Sequence, residues 1–212
     1  MGETKGFATQ LAEKLAQCQI HLQAQQTDKL VAYLQLLQKW NASYNLTAIH
    51  ESRWVTELLL DALVALPYIS AGPVLDVGSG AGVPAIPLAI ALPAVHFTLL
   101  DSNGKKTRFI KQVVMDLQIP NVDVVQSRVE DYAAPAGFAV ITSRAFTALD
   151  QFVSMTAHLL QEKGEWLAWK GENLRAELDN LPTAIEREQT IPVSLPETTG
   201  QRYLVRLKKT GS

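Results

Sequence analysis

The chain has 212 residues, 47% apolar and 19% charged, with a formal net charge of −2 and a single cysteine, Cys18. That is enough chain for one main domain of about 100–200 residues with an appendage, and the near-neutral charge carries no global nucleic-acid signature, so a polyanion would have to be held by local patches. One cysteine excludes an intramolecular disulfide framework and a cysteine-rich zinc site; a reducing compartment, the cytoplasm, is the expected location.

The N-terminal stretch is broken by Glu13, Lys14 and several Gln and has no apolar signal-peptide core. From Phe7 to about Leu66 the periodicity is helical. Leu11, Leu15, Cys18 and Leu22 form one stripe, and Leu30, Tyr33, Leu34, Leu37 and Trp40 another. Thr27 is the expected N-cap of the second helix. The polar run Asn41–Asn45 is expected to break the pattern, and a third helix is predicted from about Arg53 to Leu66, stopping at Pro67.

After Gly72-Pro73 the texture changes. Val74–Val77 reads as a strand, followed by glycines, a helix, and a second strand, Phe97–Leu100, ending on Asp101. A helix from Lys105 to Leu117, strands at Val122–Val125 and Phe138–Thr142, a helix from about Asp150 to Leu160 and a strand at Glu165–Trp169 complete the alternation. Strands alternating with helices of this length imply βαβ units and a parallel sheet covered on both faces. Arg202–Lys208 alternates and is expected to be a half-exposed antiparallel edge strand. The division is thus 1–70, a helical region, and 71–212, an α/β domain. The most apolar stretch, Val83–Leu92, holds two prolines and falls far short of the roughly 20 residues a bilayer requires, so no membrane partner is expected.

Asp76-Val77-Gly78-Ser79-Gly80-Ala81-Gly82 follows the first predicted strand and opens a helix. Glycines there permit a tight turn and a close approach to a ligand, and a helix N-terminus supplies free N–H donors. Asp101 ends the next strand, where a carboxylate can accept from ribose hydroxyls, so the pair predicts an adenosine-type cofactor. The dinucleotide pattern G-x-G-x-x-G is not met, because Val83 stands at the third glycine's place, and no P-loop Lys-Ser or Lys-Thr follows. Gly-x-Gly-x-Gly with Asp76 two residues ahead is the motif of class I S-adenosylmethionine methyltransferases.

The wider context narrows the resemblance. Asn45-Leu46-Thr47-Ala48-Ile49, the run Asp76 to Ala89, Leu100-Asp101-Ser102-Asn103-Gly104-Lys105-Lys106, Gln126-Ser127-Arg128-Val129-Glu130, Ile141-Thr142-Ser143-Arg144-Ala145-Phe146 and Lys170-Gly171 resemble the RsmG family, also called GidB. The resemblance implies a Rossmann-like class I methyltransferase fold, a mostly parallel seven-stranded sheet with helices on both faces preceded by a small helical region. It implies a bacterial enzyme that methylates N7 of one guanine in the decoding-region loop of 16S ribosomal RNA. Two positions depart from the family pattern: Leu58 stands where a histidine is usual, three residues before Asp61, and Ala85 where P-G-I-P is usual.

On this reading Gly78, Gly80 and Gly82 wrap the methionine and ribose of S-adenosylmethionine, and Asp101 holds the ribose hydroxyls. Glu130 approaches the adenine, Val129 offers it a backbone N–H, and Val83 packs against the cofactor. Guanine N7 carries an exposed lone pair, so no general base is expected and the rate comes from alignment and electrostatic fit. Arg144 and Lys170, at strand ends, are the candidates for that positioning, with Arg144 also counted in the cofactor site. Phe146 is a base-stacking or a core residue. Lys105, Lys106, Arg108 and Lys111 form one possible RNA patch, and Arg202, Arg206, Lys208 and Lys209 another. The histidines lack metal-ligand spacing, and no metal is expected. The expected partner is 16S ribosomal RNA or the small ribosomal subunit, met by a monomer. A small-molecule methyltransferase of the same fold and a non-catalytic nucleotide-binding regulator are the alternatives.

Overall fold

The computed structural model describes residues 6–70 and 72–211. Helix α1 (Phe7–Gln17) buries Leu11 and Leu15 and carries the buried Lys14. Helix α2 (Ala24–Tyr44) starts earlier than the sequence suggests. Gln23 and Gln26 cap it reciprocally, the Gln23 N–H donating to Gln26 Oε1 at 2.8 Å, which leaves Thr27 inside the first turn with its hydroxyl donating to the Gln23 carbonyl. It also runs through the polar segment predicted to break it, and ends where Asn45 adopts a left-handed φ of 50°.

The predicted third helix is a composite. A 3₁₀ turn (Glu51–Arg53) leads into a π-helical turn (Val55–Leu60), a short helix α3 (Asp61–Leu63) and a 3₁₀ turn (Leu66–Tyr68) that contains Pro67. Leu58 is buried in the apolar core, whereas Glu57 and Asp61, also buried, meet the arginines described below.

Strands β1 (Val74–Val77), β2 (Phe97–Asp101), β3 (Val122–Gln126), β4 (Phe138–Arg144), β5 (Leu160–Lys170), β6 (Ile185–Pro192) and β7 (Tyr203–Lys209) form one sheet in the order β3-β2-β1-β4-β5-β7-β6. The first five are parallel; β7 runs antiparallel between β5 and β6. The expectation of β7 as an edge strand is therefore corrected. The edge is β6, whose Glu186-Arg187-Glu188-Gln189 centre hides its strand character in sequence, and charge of this kind keeps an edge from pairing with other chains. Strand β5 likewise begins five residues before its predicted start.

Helices α4 (Ala85–Ala91) and α5 (Gly104–Asp116) cover one face, and α2 packs on both. One continuous core joins Leu30, Leu34 and Leu37 of α2 to Ile86, Phe97, Leu99 and Phe109. A second core lies on the opposite face, where α6 (Leu149–Thr156) and α7 (Leu174–Asp179) contribute Phe152, Val153 and Leu174 against Leu75, Ile141 and Trp166. Among the described residues no helix is long and apolar enough to cross a membrane.

Candidate active site

Successive connections from β1 to β2 and from β3 to β4 place the carboxyl ends of β1, β2 and β4 around a crevice, the position where open α/β sheets bind ligands. A cavity of about 330 Å³ occupies it, lined by Val77 and Gly78 from the glycine loop, Asp101, Lys106, Val129 and Glu130, with Phe146 on the far wall. Asp101 ties the loop to β2: its Oδ2 accepts from the Gly80 N–H at 2.9 Å and its Oδ1 from the Asn103 N–H at 2.8 Å. A carboxylate has about four acceptor positions, so the diol of a ribose can still be held. The Val129 side chain is buried and its N–H has no hydrogen-bond partner among the described residues.

Glycine at position 78 is required twice over. Its φ is +70°, and a methyl group there would stand 2.6 Å from Phe146 Cδ2. The ring of Phe146 thus lies against the glycine loop, on the cofactor side. Gly80 does not line the cavity and serves through its N–H to Asp101. Gly82 and Val83 do not line it either; a Cβ on Gly82 would collide with Ile86 Cγ1 at 2.7 Å, and Val83 is buried in the main core. From α2, the buried Tyr33 hydroxyl donates to the Ala81 carbonyl at 2.8 Å and props the loop from behind, a role its place in an apolar stripe did not disclose.

Asp76 is fully buried one strand position before the loop. Thr142 Oγ1 donates to its Oδ1 at 2.9 Å, but Oδ2 has no partner among the described residues. Burial pushes its carboxyl up to about 7, against the hydrogen bonds of Thr142 and Ser79 and the charge of Arg144.

A second cavity, about 590 Å³, adjoins the first at Ala145, which lines both. Ala145 has φ 55°, and this left-handed turn sends Arg144 and Phe146 to opposite sides: Phe146 faces the first cavity, Arg144 the second. Arg144 accordingly stands outside the first cavity's lining, where its cofactor role was expected. One nitrogen anchors it. Nη1 donates to the Glu57 carbonyl at 2.6 Å and to Asp61 Oδ2 at 3.0 Å, which leaves Nη2 and Nε for a ligand. Arg202 bridges the carboxylates of the same two residues, 3.2 Å from Glu57 Oε1 and 3.7 Å from Asp61 Oδ1, and Arg53 reaches Glu57 Oε2 at 2.6 Å. Burial raises the Asp61 carboxyl despite Arg144 and Arg202 beside it. Trp169 Nε1 donates to the Asp61 carbonyl at 2.7 Å, fixing the turn against β5.

Lys170 lines the second cavity, held by the Thr147 carbonyl at 2.6 Å and Glu177 at 2.7 Å. Sequence reasoning missed Glu57. Its signal was present: two acids four residues apart in an otherwise apolar run. Lys105, Arg108 and Lys111 are exposed on α5, and Lys106 reaches to 4.0 Å from Asp101. Of the second basic set, Arg206 pairs with Glu165 and lies over the Tyr68 ring, and Lys208 pairs with Glu186. No cluster of metal-ligating side chains occurs among the described residues.

Residues 26–205 match the family model described as GidB, rRNA small subunit methyltransferase G. The chain belongs to that family. It is 46% identical over 200 residues to the ribosomal RNA small subunit methyltransferase G of Chromobacterium violaceum, covering 93% of this chain and 96% of the relative. It is 44% identical over 209 residues, 98% of each chain, to the protein of the same name from Pseudomonas aeruginosa PAO1. Among solved structures, an S-adenosylmethionine-dependent methyltransferase from Aquifex aeolicus superposes with a TM-score of 0.56 at 15% identity, covering 74% of this chain and 92% of that one. This likeness carries the fold, and family and fold together make S-adenosylmethionine the cofactor of this member. The first cavity fits it. A Val129 N–H without a partner among the described residues suits an adenine ring nitrogen, and Asp101 suits a ribose diol.

Proposed function

We propose that the protein transfers a methyl group from S-adenosylmethionine to N7 of a guanine in the decoding-region loop of 16S ribosomal RNA. The junction at Ala145 carries the proposal: a cavity suited to an adenosine cofactor adjoins, across this one residue, a nucleotide-sized cavity walled by Arg144, Lys170 and Arg202. The cofactor supplies an electrophilic methyl on a sulfonium. Guanine N7 already presents a lone pair, so the protein has no proton to remove and its task is orientation. Arg144, anchored by Nη1, turns its remaining donors toward the second cavity, where guanine O6 or a flanking phosphate is a fitting acceptor. Lys170, paired with Glu177, lines the same cavity. Exposed Lys105, Arg108 and Lys111 extend the cationic surface from the first cavity along α5, and each phosphate they neutralise makes binding weaken as salt rises.

We further take residues 1–70 as a helical region and 71–212 as the methyltransferase domain, acting as a cytoplasmic monomer. The single cysteine supports the reducing compartment. The deciding experiment incubates the protein and labelled S-adenosylmethionine with naked 16S RNA, small subunits or intact ribosomes, then maps 7-methylguanine by chemical cleavage. One labelled guanine in the decoding-region loop is expected. Label at another nucleotide, or on no RNA at all, would overturn the proposal.

A further inference from the structure

The second cavity holds four carboxylates, and three are already engaged. Glu57 pairs with Arg53 and Arg202, Asp61 with Arg144 and Arg202, and Glu177 with Lys170 and the Leu149 N–H. Glu172 alone has neither ion pair nor hydrogen bond among the described residues, although it lines the same cavity as three cationic side chains, Arg144, Lys170 and Arg202. Opposite it runs the connection between β6 and β7, a compact loop whose ends are tied by the Val193 N–H to the Arg202 carbonyl at 2.8 Å. The two segments touch. A methyl group on Gly200 would stand 3.3 Å from Glu172 Oε1, and one on Gly171 would stand 3.8 Å from the Gln201 carbonyl. Gln201 is oriented by Tyr203, whose hydroxyl donates to Gln201 Oε1 at 3.0 Å, so the amide nitrogen keeps both its N–H groups free.

A carboxylate and an amide donor lining one cavity can complement one base edge. Along its Watson–Crick edge guanine presents the 2-amino group and N1–H, two donors, followed by O6, an acceptor. Adenine presents an acceptor at N1 and a donor at N6, which sets lone pairs against the carboxylate and N–H against N–H. We propose that Glu172 and Gln201 are the residues that select guanine: Glu172 accepts from N1–H and the 2-amino group, and the Gln201 amide donates to O6. This leaves N7, on the other side of the ring, free to face the first cavity. The assignment rests on the guanine reading above and adds to it the source of the base specificity.

The test uses GMP, IMP and AMP, both as competitors of methyl transfer to unmodified small subunits and in direct titration, each at saturating S-adenosylmethionine so that the adenosine cavity is already filled. IMP lacks only the 2-amino group. Wild-type protein is expected to prefer GMP over IMP by about tenfold, the size of one charge-assisted hydrogen bond, and to bind AMP more weakly still. Glu172→Gln brings the GMP-to-IMP ratio to within about twofold, with S-adenosylmethionine affinity unchanged. Gln201→Leu weakens GMP and IMP alike, since both carry O6, and leaves AMP unaffected. A preference for GMP that survives Glu172→Gln, or wild-type protein that does not discriminate among the three, overturns the assignment. Nucleotide discrimination of the expected pattern without transfer to subunit RNA overturns the functional reading while supporting this one.

Discussion

Arg144 and Asp61 meet through one guanidinium nitrogen, Nη1, 3.0 Å from Asp61 Oδ2, across the seam between the helical region and the sheet. The same nitrogen donates to the Glu57 carbonyl, so the other edge of the guanidinium is held without being used. Such fixed donors stabilise developing charge without reorganising at the moment of reaction. Arg144→Ala is therefore expected to lower kcat/KM for RNA methylation about a hundredfold while changing S-adenosylmethionine affinity less than threefold. Asp61→Asn, which keeps the shape but removes the charge, is expected to cost about tenfold in the same ratio, the scale of a weakened charged hydrogen bond. Equal losses in transfer and cofactor affinity for Arg144→Ala would move this residue into the cofactor site.

Asp76 gives the fold an unusual pH dependence. Burial holds its carboxyl up at about 7, whereas an unfolded aspartate ionises near 4. Between those values the folded protein binds a proton that the unfolded chain does not, so stability falls as pH rises through the window. In the limit the loss is on the order of 4 kcal/mol by pH 8, at about 1.4 kcal/mol per unit. Asp76→Asn cannot titrate. Its urea-unfolding free energy is expected to be flatter than wild type's between pH 5 and 8, with the gap between the two proteins closing or reversing toward pH 8. Parallel curves for the two proteins would show that Asp76 is not the titrating group.

Gly78 and Phe146 form a lock in the cofactor cavity. Gly78→Ala places a methyl 2.6 Å from the Phe146 ring and strains a φ of +70°, each enough to cost about 1–3 kcal/mol. Cofactor affinity should fall at least tenfold. Adding Phe146→Ala removes the collision but not the backbone strain, so calorimetric titration of the double variant is expected to recover part of the loss, in a non-additive cycle. Strict additivity would mean that the ring and the glycine do not meet.

These relations mark what the sequence could and could not disclose. The glycine loop, Asp101 and the alternating strands are local patterns, so the α/β fold and the first cavity were legible from them. Strand β6 was not, because an exposed edge tolerates Glu-Arg-Glu-Gln as readily as apolar alternation. Nor was the placement of Arg144 and Phe146 on opposite sides, since it depends on one left-handed residue, Ala145, that is not glycine. Thr27 misled for a similar reason: the reciprocal glutamines upstream cap the helix first. Long-range partners such as Tyr33 with Ala81 and Lys14 with Glu197 leave no periodic trace at all.

Lys14 and Glu197 tie the first helix to the loop that walls the second cavity, with 2.7 Å between Nζ and Oε2. The lysine side chain is buried and the glutamate largely exposed, so the pair is screened on one side and worth little by itself. Its effect is positional. Glu197 adopts a left-handed φ of 61°, and the same loop is anchored by Leu195 in the core and by Arg202 on Glu57. Lys14→Met keeps the buried stem's volume and removes the charge, so the unfolding free energy is expected to stay within about 1 kcal/mol of wild type. KM for small subunits should nevertheless rise about three- to tenfold, with cofactor affinity unchanged, because the loop loses its outer anchor. Lys14→Glu sets two carboxylates together and should destabilise; pairing it with Glu197→Lys should restore both stability and KM. A charge-swapped protein that remains as impaired as Lys14→Glu would show that this ion pair does not set the loop.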